Sequence, residues 1–146
     1  MIERITLLLG LCITVFISGC TTSVATVDEK PRIQRLILLN ESDVQLEDVR
    51  IFVTRTRELV TCGAILPRSE CSTGFPLREY QGNPFDISWM EYQRAMLARD
   101  IQVTVPETLL PGQRVNAVIV FRGDGRFSAR LVPADTALDP GRAGYR

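Results

Sequence analysis

Histidine is absent from this 146-residue sequence. Because histidine is the commonest general base and the commonest zinc ligand, its absence excludes Ser-His-Asp, Cys-His and His-Glu-x-x-His sites. The chain also has no net charge, since 17 basic side chains balance 17 acidic ones. No block of basic residues offers a surface for a nucleic-acid backbone. The composition therefore argues against a histidine-dependent enzyme and against a nucleic-acid-binding protein.

Long apolar runs are also scarce, and the one that stands out lies at the N-terminus, at residues 5–17. Its length is that of the hydrophobic region of a signal peptide and is short for a bilayer-spanning helix. The run ends at Ile17-Ser18-Gly19-Cys20. This tetrapeptide resembles the lipobox of bacterial lipoproteins, in which an aliphatic residue and two small residues precede an obligatory cysteine.

The lipoprotein resemblance implies an attachment and a location. Residues 1–19 would be a cleaved signal peptide, and the Cys20 thiol would carry a diacylglycerol, with a further palmitate-type chain on the new amine. Two or more acyl chains hold a protein stably on a membrane. In such lipoproteins an Asp directly after the lipidated cysteine favours retention in the inner membrane. Thr21 occupies that position here, which implies attachment to the inner leaflet of the outer membrane, facing the periplasm. The alternatives are an uncleaved anchor over the uncharged residues 5–27 and an ordinary secreted product.

Two of the four cysteines remain once Cys12, in the signal peptide, and the lipidated Cys20 are set aside. An even remainder in an exported chain predicts a disulfide, here between Cys62 and Cys71. Metal binding would need two further soft ligands, and a redox pair usually has C-x-x-C spacing. We therefore expect a structural disulfide and no metal or other cofactor.

The body of the chain is predicted to be all-β. We expect a flexible tether over residues 20–32, one domain over 33–133 and a disordered tail over 134–146. Runs rich in Val, Ile, Phe and Thr alternate with turn residues, as in a sandwich or barrel. The predicted strands are residues 33–39, 46–55, 59–66, 71–75, 84–92, 97–105, 114–121 and 127–132. With this number of short strands, the chain resembles an immunoglobulin-like or fibronectin-type β-sandwich. The resemblance is one of architecture only, because Cys62 and Cys71 are too close in sequence to form the disulfide of an immunoglobulin domain.

Alternation within these strands predicts which side chains form the core. The predicted core residues are Val49, Ile51, Val53, Phe85, Ile87, Trp89, Ile101, Val103 and Val105. The continuously apolar residues 117–121 predict a central strand covered on both sides. Gly123-Asp124-Gly125 predicts a hairpin, because glycine permits the positive φ that tight turns need. A phosphate-cradling loop would require a helix after it.

A candidate partner-binding surface lies in and beside the least repetitive segment, residues 72–84. Phe75, Arg78, Tyr80 and Trp89 combine apolar and polar character in the way that is typical of protein interfaces. The alternative interpretation is an ordered loop with Tyr80 packed beneath it, because Gly, Asn and Pro in this segment are ordinary turn residues.

Anion binding is a weaker hypothesis. Arg outnumbers Lys 16 to 1, and guanidinium groups pair well with carboxylate and phosphate. The arginines are scattered and form no block of like charge, which favours genomic base composition as the explanation. Arg122 and Arg126 flank the predicted hairpin, and Arg55 and Arg57 lie at a strand end. Glu79, Asp86 and Glu91 would serve a glycosidase only if the fold brought two of them together.

The sequence thus favours a non-catalytic envelope lipoprotein whose β-sandwich binds a protein partner, as an accessory or assembly factor of a larger envelope complex. A module for cell-wall glycan or another small ligand is the alternative. A carboxylate enzyme is the third hypothesis, and no nucleophile motif supports it.

Overall fold

The computed structural model describes residues 29–138. They form eight strands and no helix: β1 Arg32–Asn40, β2 Leu46–Val53, β3 Glu58–Ile65, β4 Ser69–Glu79, β5 Phe85–Glu91, β6 Arg94–Ile101, β7 Arg114–Gly123 and β8 Arg126–Pro133. Accordingly, no helix in this part of the chain could cross a membrane. The lipobox, the signal peptide and the lipidation site at Cys20 lie outside the described residues.

The strands form two four-stranded sheets, with the orders β4-β1-β7-β8 and β3-β2-β5-β6. Every neighbouring pair is antiparallel except β1 and β7, which are parallel. The inward faces of the two sheets share one hydrophobic core, so the predicted all-β sandwich is confirmed. The odd-numbered strands begin at one end of the sandwich, the cavity end. They finish at the other, the hairpin end, which carries the β7–β8 turn.

The core follows the predicted alternation in β5 and β7. Phe85, Ile87 and Trp89 point inward and are buried, and Ile119 packs against the same cluster. The β7 strand is buried on both faces, because Val118 on its outer side belongs to a second apolar cluster. Period-two burial is what a half-covered strand requires, and continuous burial is what a central strand requires.

A disulfide closes one side of the sandwich, and a crossing segment of the chain closes the other. Cys62 and Cys71 form the predicted disulfide, with Cα atoms 6.5 Å apart, and it joins edge strands β3 and β4 of opposite sheets. On the other side, the chain after β6 crosses to the second sheet. The Thr104 amide donates to the Ala129 carbonyl, and the Leu131 amide donates to the Thr104 carbonyl, both at 2.9 Å.

This crossing corrects the prediction for residues 97–105. Strand β6 ends at Ile101, just after Asp100 adopts a φ of 54°. Val103 is half-buried against the core, whereas Val105 is 45% exposed and is not a core residue. The alternation of apolar residues continues through residues 101–105. The chain leaves the β6 sheet after Ile101, however, so alternate residues no longer lie on one face of that sheet.

Strand β4 is longer than the predicted 71–75, and residues 72–79 of the segment expected as a loop belong to this strand, which pairs with β1. Pro76 does not interrupt it, for two reasons. The strand lies at a sheet edge, and its register with β1 shifts between Ile33 and Arg35, leaving residues 75–77 opposite the single residue Gln34. Edge positions and bulges are where a sheet tolerates proline.

Candidate functional site

A cavity of about 180 Å³ lies between the two sheets at the cavity end. One sheet contributes Leu36 and Ile119 to its walls, and the other contributes Ile51 and Phe85. The lining also includes exposed residues such as Gln81, so the cavity opens to solvent. Ligand sites in proteins share this combination of apolar walls and a few polar groups at the mouth.

An ion pair spans the mouth from one sheet to the other. Arg78 at the end of β4 donates to both carboxylate oxygens of Glu58 at the start of β3, at 2.7 and 2.9 Å. The Arg78 guanidinium also lies 4.8 Å from the centre of the Phe75 ring. Hydrogen bonds from Arg78 lower the pKa of Glu58, and those bonds raise the pKa of Arg78. Both side chains are about half exposed, at 50% and 44%, so water screens their attraction.

Tyr80 forms another part of the cavity wall, just after β4. Its backbone amide donates to the Pro31 carbonyl at 2.8 Å, which ties it to the segment that leads into β1. Burial raises the pKa of the Tyr80 hydroxyl, and a backbone hydrogen bond with Val103 acts in the opposite direction. Tyr80 therefore links the N-terminal entry of the domain to the crossing segment.

Three of the four residues proposed from the sequence for partner binding thus meet at the cavity: Phe75, Arg78 and Tyr80. Trp89 does not join them. It is 3% exposed and stacks edge-to-face on Phe121, with ring centres 5.2 Å apart. Its place on the core face was expected from its alternation with Phe85 and Ile87, and that placement removes it from any surface.

The hairpin end is sealed by a buried carboxylate. Glu91 is 2% exposed and accepts hydrogen bonds from the Asp124 amide at 2.6 Å, the Gly125 amide at 3.3 Å and the Trp89 indole nitrogen at 3.2 Å. The predicted hairpin is confirmed, and residues 123–125 all have positive φ. Two of its amides do hold an acidic side chain, but that side chain is the chain's own Glu91.

The arginine pairs differ in their surroundings. Arg122 donates to the Ser128 hydroxyl at 3.0 Å and lies 3.6 Å from the Glu41 carboxylate. Arg126 lies 4.0 Å from Asp124. Arg55 and Arg57 flank Thr56, which lines the cavity, and neither forms an ion pair with another residue of the described part. These two arginines therefore add positive charge at the cavity end, where Glu79 is a further acidic residue of the lining.

The candidate catalytic carboxylates do not converge. Asp86 and Glu91 lie near opposite ends of β5, about 16 Å apart at the usual rise of a strand. Asp86 accepts a bond from the Asp100 amide at 3.0 Å, and Glu79 lines the cavity. Within residues 29–138 no group of three or more acidic or cysteine side chains could hold a metal ion.

Sequence reasoning missed Glu58, Thr56 and Val103 as residues of the cavity. Thr56 lies in the β2–β3 connection, Glu58 begins β3 and Val103 belongs to the crossing segment after β6, and only the packing of the two sheets brings these segments together. The single local signal is the position of Thr56 and Glu58 beside Arg55 and Arg57, a pair that the sequence marked as a charged strand end.

A second concavity, of about 280 Å³, lies beside the β5–β6 turn and is lined by Val44, Gln45, Glu47, Met90, Tyr92 and Gln93. It has the larger volume of the two. Most of these side chains are exposed, however, so it is a surface depression without buried apolar walls. We therefore place the candidate site at the smaller cavity.

Comparisons with known proteins give no family. No protein-family model matches the chain, and no curated protein matches it. Among solved structures, it is similar to a protein from Eubacterium rectale determined by NMR, with 7% identity and a TM-score of 0.40. The match covers 72% of this chain and 91% of the other. A likeness at that level says nothing about function.

Proposed function

We propose that this protein is a lipid-anchored lipoprotein of the bacterial envelope and that its β-sandwich is a non-catalytic module for binding another envelope protein. The observation that carries the proposal is the apolar cavity with the Arg78–Glu58 pair at its mouth. Interfaces gain most of their affinity from a few large side chains seated in such desolvated pockets.

The surroundings of the chemically active groups support a binding role over catalysis. Both Glu91 oxygens accept hydrogen bonds from the chain itself, and Asp86 is far from it along β5. Cys62 and Cys71 are joined in a disulfide, so neither is a free thiol nucleophile. The apolar cavity walls also do not suit a glycan, whose hydroxyl groups need hydrogen-bond partners when buried.

The attachment point gives the module an orientation. The chain enters the domain at the cavity end, where the Glu29 carbonyl accepts a bond from the Gly112 amide at 3.0 Å. Nine residue steps separate Cys20 from Glu29, which spans at most about 30 Å when fully extended. If Cys20 is lipidated, the cavity therefore stays close to the membrane, and the partner must present its binding segment there.

Site-specific photo-crosslinking in cells tests this proposal on the full-length chain. A photoreactive residue replaces Gln81 at the cavity mouth, or Leu97, which is 59% exposed on the outer face of the other sheet, as the matched control. We expect one dominant envelope protein captured from position 81 and not from 97. Capture should be lost with Cys20→Ala, and mass spectrometry should find acyl chains on wild-type Cys20.

Three outcomes contradict the proposal. Position 81 capturing no protein would remove the partner-binding role, and positions 81 and 97 capturing the same set would remove the role of the cavity. An unmodified Cys20 in the mature chain would remove the lipid anchor.

A further inference from the structure

We infer that the cavity end binds a peptide segment of a partner that inserts one large apolar side chain between the sheets and places an adjacent carboxylate on Arg78, displacing Glu58. This inference rests on the proposed function and names the chemistry that the partner presents. The carboxylate comes from an acidic side chain or from a chain end.

The size of the cavity points to one side chain. At about 180 Å³ it is comparable to the engineered apolar cavity of about 150 Å³ that holds a benzene ring. A phenylalanine or leucine side chain fits that volume, whereas a long acyl chain does not. Ile33, Val103 and Phe85 around it are carbon surfaces that favour such an occupant.

The charges at the mouth point to an acidic neighbour. Arg78 is held in place by the Phe75 ring beneath it, so it presents an ordered fork for a carboxylate. Arg55 and Arg57 add positive charge beside Thr56 without ion pairs of their own among the described residues. With Arg78, these arginines outnumber the two carboxylates of the lining, those of Glu58 and Glu79.

Displacing Glu58 is energetically easy because the pair is half exposed. Exposed ion pairs contribute little to stability, so an incoming carboxylate exchanges one charged hydrogen-bonded pair for another. Glu58 then acts as a competitor that occupies Arg78 until the partner arrives. A competitor of this kind weakens the binding of an acidic segment, which must displace it, and leaves a neutral segment unaffected, because a neutral segment does not take its place on Arg78.

Peptide titrations of the full-length lipoprotein in nanodiscs, followed by methyl NMR, test the inference. The probes are N-acetyl-Gly-Asp-Phe-amide and N-acetyl-Gly-Gly-Phe with a free carboxylate. The neutral N-acetyl-Gly-Asn-Phe-amide and the apolar-deficient N-acetyl-Gly-Asp-Ser-amide are the controls. We expect both acidic Phe peptides to shift the methyl signals of Ile33 and Val103 but not those of Leu46 and Ile65 at the hairpin end. The tighter of the two identifies the source of the carboxylate.

Substitutions at the ion pair make the test specific. Glu58→Gln should strengthen binding of the acidic Phe peptides by roughly fivefold and leave the neutral peptide unchanged, because it removes the competing carboxylate. Arg78→Gln should abolish the preference for the acidic peptides. Arg68→Gln and Asp43→Asn alter a matched exposed pair near the hairpin end. They should change neither the affinity for the acidic Phe peptides nor the preference for them over the neutral peptide. The methyl spectrum of each variant verifies that the fold is intact.

Equal affinity for the acidic and neutral Phe peptides, or no shift at Ile33 and Val103, would overturn the inference. Tighter binding of octanoate than of either acidic peptide would overturn it in favour of a free amphiphile. These failures are distinguishable from failure of the proposed function, which depends on capture from position 81 in cells. Capture without peptide binding would leave a protein partner of different chemistry.

Discussion

At the scale of single residues, Glu91 illustrates how the fold decides the role of a carboxylate. The sequence marks it as one of three acidic residues near aromatic side chains. The structure buries it and gives it three N–H donors, two of them from the β7–β8 turn. A buried carboxyl group is tolerated only when it is hydrogen-bonded in this way. The role of Glu91 is therefore structural.

Glu91→Gln should destabilise the protein by about 2 kcal/mol. The glutamine side chain replaces one acceptor oxygen by an NH₂ donor, so one N–H group that bonds Glu91 loses its acceptor. For a domain of this size the midpoint of thermal unfolding should fall by roughly 8 to 16 °C. Circular dichroism of the full-length chain measures it. Glu70→Gln, on an exposed position of β4, is the control and should stay within about 0.5 kcal/mol. Equal effects of the two substitutions would contradict the role assigned to Glu91.

Glu58 predicts a small dependence of stability on pH. Hydrogen bonds from Arg78 lower its pKa below the usual value of 4.5. A group with a lowered pKa in the folded state contributes stability above its usual pKa, and that contribution disappears as the pH falls through the lowered value. Wild type should therefore exceed Glu58→Gln by no more than about 1 kcal/mol at pH 7, and less at acid pH. Urea unfolding at several pH values measures this difference, and an increase at acid pH would contradict it.

At the scale of structural elements, the disulfide joins two edge strands that otherwise share few contacts. Replacing Cys62 and Cys71 together by Ala should lower the free energy of unfolding by about 2.5 to 3 kcal/mol, because the ring no longer restricts the unfolded chain. Urea unfolding of the full-length chain measures the loss. Reduction of wild type should cause a similar loss, whereas the double variant should not respond to reductant. A response of that variant would point to another cysteine.

The sequence predicts the strands well and the long-range geometry poorly. Alternation and turn residues are local signals, and all eight predicted strands overlap those observed. The extent of β4 was missed because Pro76 ends a strand by local rules, whereas a bulge at a sheet edge accommodates it. The end of β6 was missed because Val103 and Val105 continue an alternation that the crossing chain no longer uses. In both cases the deciding contact is with a strand distant in sequence.

The candidate site was predictable only in part for the same reason. Phe75, Arg78 and Tyr80 lie within six residues of one another, and their mixed character is visible in the sequence. Their partner Glu58 begins a different strand in the opposite sheet, so no spacing rule connects it to Arg78. The cavity depends on the separation of two sheets.

At the scale of the whole molecule, the two ends of the sandwich have opposite characters. At the hairpin end, buried polar groups are satisfied: Asn40 bonds three carbonyl groups and Ser42, and Glu91 bonds the turn. At the cavity end, apolar walls reach solvent and a half-exposed ion pair spans the gap. The hydrogen-bonded buried polar groups therefore lie at one end, and the proposed binding site lies at the other.

A pair of substitutions tests this separation. Val60→Phe adds bulk on edge strand β3, where Val60 is half-buried and lines the cavity. It should weaken binding of the acidic Phe peptide by about tenfold, with a change in stability within about 1.5 kcal/mol. Glu91→Gln should do the reverse, lowering stability while leaving peptide affinity unchanged. Titration and thermal unfolding of both variants in the full-length chain measure the two effects. If each variant changed both properties to a similar extent, the two ends would be energetically coupled, because a packed core transmits strain between them.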